Sequence, residues 1–211
     1  MLLAIDVGNT QTVIGMFTPG RGNQELLHHW RISSNAERTA DEMAMIVSQL
    51  LDLQGFDIDR TVTGIAVASV VPRVTAALRE MTEKWFPVKT VIVEPGIRTG
   101  MPILYDNPQD VGADRIADAV AAYDLYGGPT IVIDFGTATT VEAIQSGSVY
   151  GFAAQVDGLC ARFQHELGQE ATVVATGGLA GLITPLTERI DHHEPWLTLY
   201  GLRIIYERNV G

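Results

Sequence analysis

One short pattern occurs twice in the chain, and it limits the folds that the chain can adopt. Leu3-Ala4-Ile5-Asp6-Val7-Gly8 and Ile131-Val132-Ile133-Asp134-Phe135-Gly136 both consist of three apolar residues, an aspartate, another apolar residue and a glycine. Each copy is typical of a buried strand that ends in a tight turn carrying a carboxylate. One copy alone would fit any strand followed by a glycine turn, whereas two copies favour an internal duplication. We therefore predict two half-domains, residues 1–111 and 112–211.

Strands and helices alternate along the rest of the chain. A β-hairpin is predicted from Leu2 to Phe17, and Thr39 with Glu42 three residues later forms a capping-box pattern that starts a helix. Further strands are predicted at 26–32, 64–71, 90–93, 130–134 and 172–175, and further helices at 72–85, 112–127, 149–167 and 199–208. This alternation predicts an α/β fold in which helices flank mixed sheets.

The charge of the chain favours small molecules or proteins as partners. The 25 acidic residues outnumber the 14 basic ones, giving a formal net charge of −11. This charge repels nucleic acid and anionic lipid, so we expect neither as a partner. Lys84 and Lys89 are the two lysines of the sequence, and neither lies in a P-loop motif. A single cysteine, Cys160, and no apolar stretch of membrane-spanning length lead us to expect a cytoplasmic protein.

The turn after the first copy of the pattern has residues suited to phosphate. Gly8 permits a tight turn, while Asn9 and Thr10 offer side-chain and backbone donors. The carboxylate of Asp6 would oppose phosphate unless a divalent cation lay between them. A simple β-turn capped by an aspartate explains the same residues equally well.

The second copy repeats this arrangement with more hydroxyl groups, in Thr137, Thr139 and Thr140. In a duplicated fold, we expect Asp6 and Asp134 to flank a nucleotide and its metal from opposite sides of a cleft. Thr176-Gly177-Gly178 follows a third strand and would let the backbone approach an adenosine closely, although such a glycine pair is usually only a turn.

Gly112-Ala113-Asp114-Arg115 lies at the start of a predicted helix. An acidic residue in a first helical turn is commonly explained by the helix dipole alone. With Arg115 beside it, however, Asp114 is also a candidate to accept a proton from an alcohol, while the arginine binds a carboxylate or phosphate.

Four segments, taken in order, resemble the motifs of the type III pantothenate kinases over almost the whole chain. They are Asp6–Thr10, Tyr105–Pro108, Val111–Arg115 and Asp134–Thr139. The resemblance implies a duplicated actin-like, ribonuclease H-like fold, a homodimer, and the ATP-dependent phosphorylation of pantothenate to 4′-phosphopantothenate, which opens coenzyme A synthesis. It also implies Mg²⁺ with ATP and a monovalent cation, K⁺ or NH₄⁺.

The resemblance assigns roles to individual residues. It makes Asp114 the proton acceptor and places the monovalent cation at Asp134. It places ATP phosphates at Asp6, Val7, Gly8, Asn9, Thr10, Gln11, Thr12, Val13 and Thr137. It places pantothenate at Tyr105, Gly112, Ala113, Asp114 and Arg115, with Thr140 as a further substrate contact.

The sequence departs from the family after about residue 140. There the family carries a further segment, with a glycine-rich turn and helical residues, before a part that resembles Val141–Gly147. We expect a mobile segment that the sequence does not include, with a real deletion as the alternative, and a real deletion would put activity in doubt. Two other functions stay open: another actin-like kinase, for a sugar or acetate, and a non-catalytic transcriptional accessory protein. The presence of all four residues Asp6, Asp114, Arg115 and Asp134 favours catalysis.

Overall fold

The computed structural model describes residues 1–18, 25–136 and 145–210. The chain forms two compact units. The first contains Met1–Val120 and the C-terminal residues from Thr198 onward, and the second contains Ala121–Leu197. The predicted division at residue 111 stays a prediction. It rests on the sequence repeat, whereas the two units of the structure are distinguished by their compactness.

A five-stranded mixed sheet forms the centre of the first unit. Its strands are β1 (Leu2–Val7), β2 (Gln11–Phe17), β3 (Leu26–Ser33), β4 (Gly64–Ser69) and β5 (Lys89–Ile92). Their order is β3-β2-β1-β4-β5. Strand β2 is antiparallel to β1 and β3, whereas β4 is parallel to β1 and β5 is parallel to β4. This confirms the predicted hairpin and is the strand order expected of a ribonuclease H-like unit.

The helices occupy the connections between strands. They are α1 (Ala40–Asp52), α2 (Ile58–Thr61), α3 (Pro72–Trp85), α4 (Ala113–Tyr126), α5 (Gln145–Leu167), α6 (Ala180–Ile183) and α7 (Leu197–Val210). The predicted capping box of α1 is present, since the Glu42 backbone N–H donates to Thr39 Oγ1 and the Glu42 carboxylate accepts from the Thr39 N–H at 2.8 Å. Pro72 occupies the first turn of α3, as predicted.

The core of the first unit lies between this sheet and the helices α1 and α3. Leu3 and Ile5 of β1 are fully buried in it. Residues from the two helices complete the same cluster: Met43, Val47, Leu51, Val74, Leu78 and Met81. Full burial of such side chains contributes about 1.5–3 kcal/mol each. The core therefore fixes the position of β1, whose carboxyl end carries Asp6.

The second unit repeats the central part of the first. Strands β6 (Thr130–Asp134), β7 (Thr172–Thr176) and β8 (His192–His193) are parallel and lie in the order β6-β7-β8. They correspond to β1-β4-β5, so the structure confirms the duplication. Among the described residues of this unit there is no strand equivalent to β2 or β3. Thr130 to Ile133 of β6 are accordingly half-buried and Asp134 is exposed, while the residues of β1 are mostly buried.

Several short elements were not predicted from the sequence: α2, α6, β8 and the 3₁₀ turns at Pro108–Asp110 and Thr184–Leu186. Each spans four residues or fewer, which is too short for a periodic pattern. Within the ranges that the structure describes, no helix combines the length and the apolar character needed to cross a membrane.

Gly201 allows α7 to lie directly against α4. A Cβ atom at this position would lie 1.9 Å from the carbonyl oxygen of Ala117. We predict that Gly201→Ala lowers the free energy of unfolding by about 3 kcal/mol, because the two helix backbones must move apart. Urea unfolding followed by circular dichroism measures this change.

Gly158→Ala is the matched control, since Gly158 is an exposed residue of helix α5 with no atom within 4 Å of its added Cβ. Alanine there should raise stability by about 1 kcal/mol through helix propensity. Equal effects of the two substitutions would contradict the close packing of α4 and α7.

Candidate active site

The tip of the β1–β2 hairpin is exposed and tightly turned. The Gly8 N–H donates to the Gln11 carbonyl at 3.0 Å, which closes the turn. Asn9 and Thr10 are exposed at its tip. In the described part of the chain, the backbone N–H groups of Asn9 and Thr10 make no hydrogen bond. The turn therefore presents donors to an anion, as the sequence predicts.

Ser34, immediately after β3, holds this turn from the side. Its hydroxyl donates to the Gly8 carbonyl at 2.7 Å, and its backbone N–H donates to the Thr10 carbonyl at 2.9 Å. Its Oγ is also 2.8 Å from the hydroxyl of Thr12, which is fully buried. Sequence reasoning missed Ser34, because only the β2–β3 pairing brings it to the turn.

The start of helix α4 lies at the same edge of the sheet as this turn. The Val70 N–H donates to the Val7 carbonyl at 3.1 Å, which joins the carboxyl ends of β4 and β1. A Cβ on Gly112 would lie 3.6 Å from Cγ1 of Val70. Gly112 and the Asp6–Thr10 segment are thus brought together within the first unit, as open α/β sheets commonly bring binding residues together at strand ends.

Asp114 occupies the first turn of α4, and its side chain is half-buried. Its Oδ1 accepts from the Arg115 N–H at 2.8 Å. A Cβ on Gly112 would lie 2.4 Å from the same oxygen, so glycine makes room for the carboxylate. Within the described residues Oδ2 has no hydrogen-bond partner. The side chain of Arg115 is exposed. This arrangement leaves one carboxylate oxygen for a ligand.

Tyr105 lies in the irregular segment that precedes α4, and 62% of its surface is exposed. The same segment is stabilised by the Asn107 side chain, which donates to the Asp110 carboxylate at 2.9 Å. No hydrogen bond joins Tyr105 to residues 112–115 in the described ranges. The predicted role of Tyr105 in the site stays a prediction.

In the second unit, Asp134 is exposed at the end of β6 and lies against Gly177. The backbone of Gly177 has a φ angle of 91°, and a Cβ there would lie 2.4 Å from Asp134 Oδ1. The Phe135 N–H donates to the Thr176 carbonyl at 2.9 Å, which holds the two strand ends together. Thr176-Gly177 thus supports Asp134, while its predicted contact with adenosine stays a prediction.

Some predicted site features are not tested by this geometry. Thr137 and Thr140 lie outside the described residues. The predicted cleft would join Asp6 and Asp134, which belong to different units, so it stays a prediction. In the described ranges no three His, Cys, Asp or Glu side chains form a metal cluster. Exposed carboxylate and hydroxyl groups at the strand ends nevertheless suit hard cations.

Cys160 is fully buried in the core of the second unit. Burial raises the pKa of its thiol. A protonated, buried thiol is a poor nucleophile, so Cys160 packs as a small apolar residue.

The strand order, the duplicated strand ends and the helix start at one sheet edge define a duplicated, actin-like and ribonuclease H-like α/β protein. A solved structure supports this fold across the chain. It belongs to a Campylobacter jejuni protein described as a Baf family transcriptional activator, with a TM-score of 0.50 and 14% identity, covering 99% of this chain and 98% of that one.

The family itself follows from sequence comparison. The profile described as Type III pantothenate kinase matches residues 2–151. Type III pantothenate kinase of Streptomyces griseus is 45% identical over 267 positions, covering 100% of this chain and 99% of that protein. The Moorella thermoacetica protein of the same name is 44% identical over 258 positions, covering 99% of this chain and 100% of that protein. The chain belongs to the type III pantothenate kinase family.

The alignments also show that this chain is shorter than its relatives. An alignment of 267 positions with a chain of 211 residues leaves at least 56 positions of the Streptomyces griseus protein without a counterpart. Such a gap agrees with the family segment that the sequence lacks. The alignments do not place the gap, so its location after residue 140 stays a prediction.

Gly177 and Gly178 give a direct test of the support for Asp134. We predict that Gly177→Ala lowers the free energy of unfolding by about 2–3 kcal/mol, because a positive φ disfavours alanine and its Cβ would displace the carboxylate. Gly178→Ala, where no atom lies within 4 Å, should change stability by less than about 0.5 kcal/mol. Urea unfolding of both variants measures the difference, and similar small effects would contradict the contact.

Proposed function

We propose that this protein transfers the γ-phosphoryl group of ATP to the primary hydroxyl of pantothenate, giving 4′-phosphopantothenate for coenzyme A synthesis. The observation that carries this proposal is the position of Asp114. Within the first unit, its carboxylate lies on the helix that starts beside the carboxyl ends of β1 and β4. The exposed turn at Gly8–Thr10 follows β1 directly. The proposed proton acceptor, Asp114, and the proposed phosphate-binding turn therefore lie at the same edge of the first sheet.

The turn after β1 binds the ATP phosphates in this proposal. Exposed backbone N–H groups at Asn9 and Thr10 can donate to phosphate oxygens without giving up a bond within the protein. Asp6 would hold the Mg²⁺ that binds with ATP, and this ion would supply neutralisation of the phosphate charge. The turn itself orients the terminal phosphoryl group, which is the main requirement for this type of transfer.

Asp114 acts on the other substrate. Its carboxylate accepts the proton of the pantothenate hydroxyl as the hydroxyl oxygen forms a bond to the γ-phosphorus. The bond between that phosphorus and the bridging oxygen breaks, and ADP leaves with the electron pair. The exposed guanidinium of Arg115 is suited to the carboxylate of pantothenate, and Tyr105 completes the substrate contacts.

Other parts of the proposal rest on the family resemblance. A monovalent cation, K⁺ or NH₄⁺, binds at Asp134, whose carboxylate is exposed at the end of β6. Thr137 contacts phosphate and Thr140 contacts substrate. The protein acts as a cytoplasmic homodimer.

The first experiment is an assay of ADP release by the purified protein, with its intact mass measured on the same sample. We expect ADP release that requires pantothenate and increases when K⁺ is added, and a product whose mass corresponds to phosphopantothenate. ATP hydrolysis that does not depend on pantothenate, or no turnover at the mass of the 211-residue chain, would contradict the proposed function.

Asp114→Asn tests the proton acceptor. Asparagine keeps the size of the side chain and removes its basicity, so kcat should fall about 10²–10⁴-fold, the usual contribution of general-base catalysis. The KM for ATP should change little. Steady-state kinetics with both substrates measures these effects.

Asp124→Asn is the matched control, since it makes the same charge change at an exposed position of the same helix. It should retain wild-type kcat. If Asp114→Asn also retained wild-type kcat, Asp114 would not be the proton acceptor.

A further inference from the structure

We propose that Ser34 is a positioning residue that orients the phosphate-binding amides of the turn between β1 and β2. The inference rests on the proposed function, because it assumes that this turn binds nucleotide phosphate. Ser34 acts through the backbone of Gly8 and Thr10, to which it donates hydrogen bonds at 2.7 and 2.9 Å.

The direction of the hydroxyl bonds follows from counting donors. A serine hydroxyl has one proton, and here that proton is donated to the Gly8 carbonyl. The 2.8 Å contact between Thr12 Oγ1 and Ser34 Oγ must therefore use the proton of Thr12. The result is a chain of two bonds, from the buried Thr12 hydroxyl to Ser34 and from Ser34 to Gly8. This chain determines the orientation of the Ser34 hydroxyl.

The bond to Gly8 fixes the direction of a neighbouring amide. The Gly8 carbonyl and the Asn9 N–H belong to one planar trans peptide unit, so they point in opposite directions. Since the carbonyl points to Ser34, the Asn9 N–H points away from Ser34 and towards the exposed side of the turn. Without the serine hydroxyl, this peptide unit would lose the bond that sets its rotation.

The backbone of Ser34 has the same effect on a second peptide unit. Its N–H donates to the Thr10 carbonyl, so the N–H of Gln11 in that unit points away from Ser34. One residue thus fixes the peptide units on both sides of the turn. A side-chain substitution removes the bond to Gly8 and the contact with Thr12 but leaves the backbone bond to Thr10, so the β2–β3 pairing should survive it.

Ser34→Ala tests the inference. We expect nucleotide affinity, measured by calorimetric titration with ADP and with a non-hydrolysable ATP analogue, to fall about tenfold. The reason is that an Asn9 N–H no longer held in its direction would lose its hydrogen bond to a charged phosphate oxygen. The KM for ATP should rise by a similar factor, whereas the KM for pantothenate should stay unchanged. Ser34→Thr keeps the hydroxyl and should restore most of the affinity.

Ser33→Ala is the matched control, because Ser33 is the adjacent exposed serine of β3. It should bind nucleotide as the wild type does. Wild-type nucleotide affinity in Ser34→Ala, or an equal loss in Ser33→Ala, would overturn the positioning role. A rise in both KM values would indicate a general structural defect and would also overturn it.

A measurement on the wild type keeps the inference testable if Ser34→Ala does not fold. Amide hydrogen exchange should show that the ATP analogue protects the Asn9 N–H group, and unchanged exchange would overturn the inference. Protection by the analogue without phosphorylation of pantothenate would instead contradict only the proposed function.

Discussion

The parallel pairing of β1 with β4 is the constraint on which the candidate site depends. Residues Leu2 to Val7 pair in register with Gly64 to Ser69, and the ladder extends one step further through the Val70 N–H and the Val7 carbonyl. Because both strands end at the same edge, the turn after β1 lies near Val70, whose side chain lies next to Gly112 before α4. The burial of Leu3, Ile5 and Val7 in one core keeps β1 in this register, since a shift by one residue would turn Asp6 towards that core.

Duplication explains why an aspartate follows the apolar residues of both β1 and β6. In each unit, the strand that carries the Asp-x-Gly pattern pairs in parallel with a strand that follows a helix. The immediate surroundings of the two aspartates differ. Asp6 is followed by a turn that Ser34 holds, whereas Asp134 lies against Gly177, whose positive φ lets its backbone approach the carboxylate. The same sequence pattern therefore has two different local surroundings.

The long helices and strands, and the residues next to glycine motifs, could be predicted from the sequence. The capping box at Thr39, the proline at the start of α3 and the strand ends at Asp6 and Asp134 depend on local chemistry, and the structure confirms them. Ser34 could not be predicted, because its bonds to Gly8 and Thr10 cross 24 to 26 residues and require the β2–β3 register. The contact of Gly177 with Asp134 is similarly non-local, since a glycine pair after a strand indicates a turn but not its neighbour.

The two sheets differ in their strands, and this difference determines which unit orients phosphate in our proposal. Strands β2 and β3 supply the first unit with its hairpin turn and with Ser34, which follows β3 directly. Among the described residues of the second unit no equivalent strands are present, and at least 56 positions of the Streptomyces griseus relative have no counterpart in this chain. Orientation of phosphate in our proposal therefore depends on the first unit, where the turn, its support and Asp114 all belong to one compact body. In the same proposal, Asp134 of the second unit would hold a cation, which places a weaker demand on geometry than aligning a phosphoryl group for transfer.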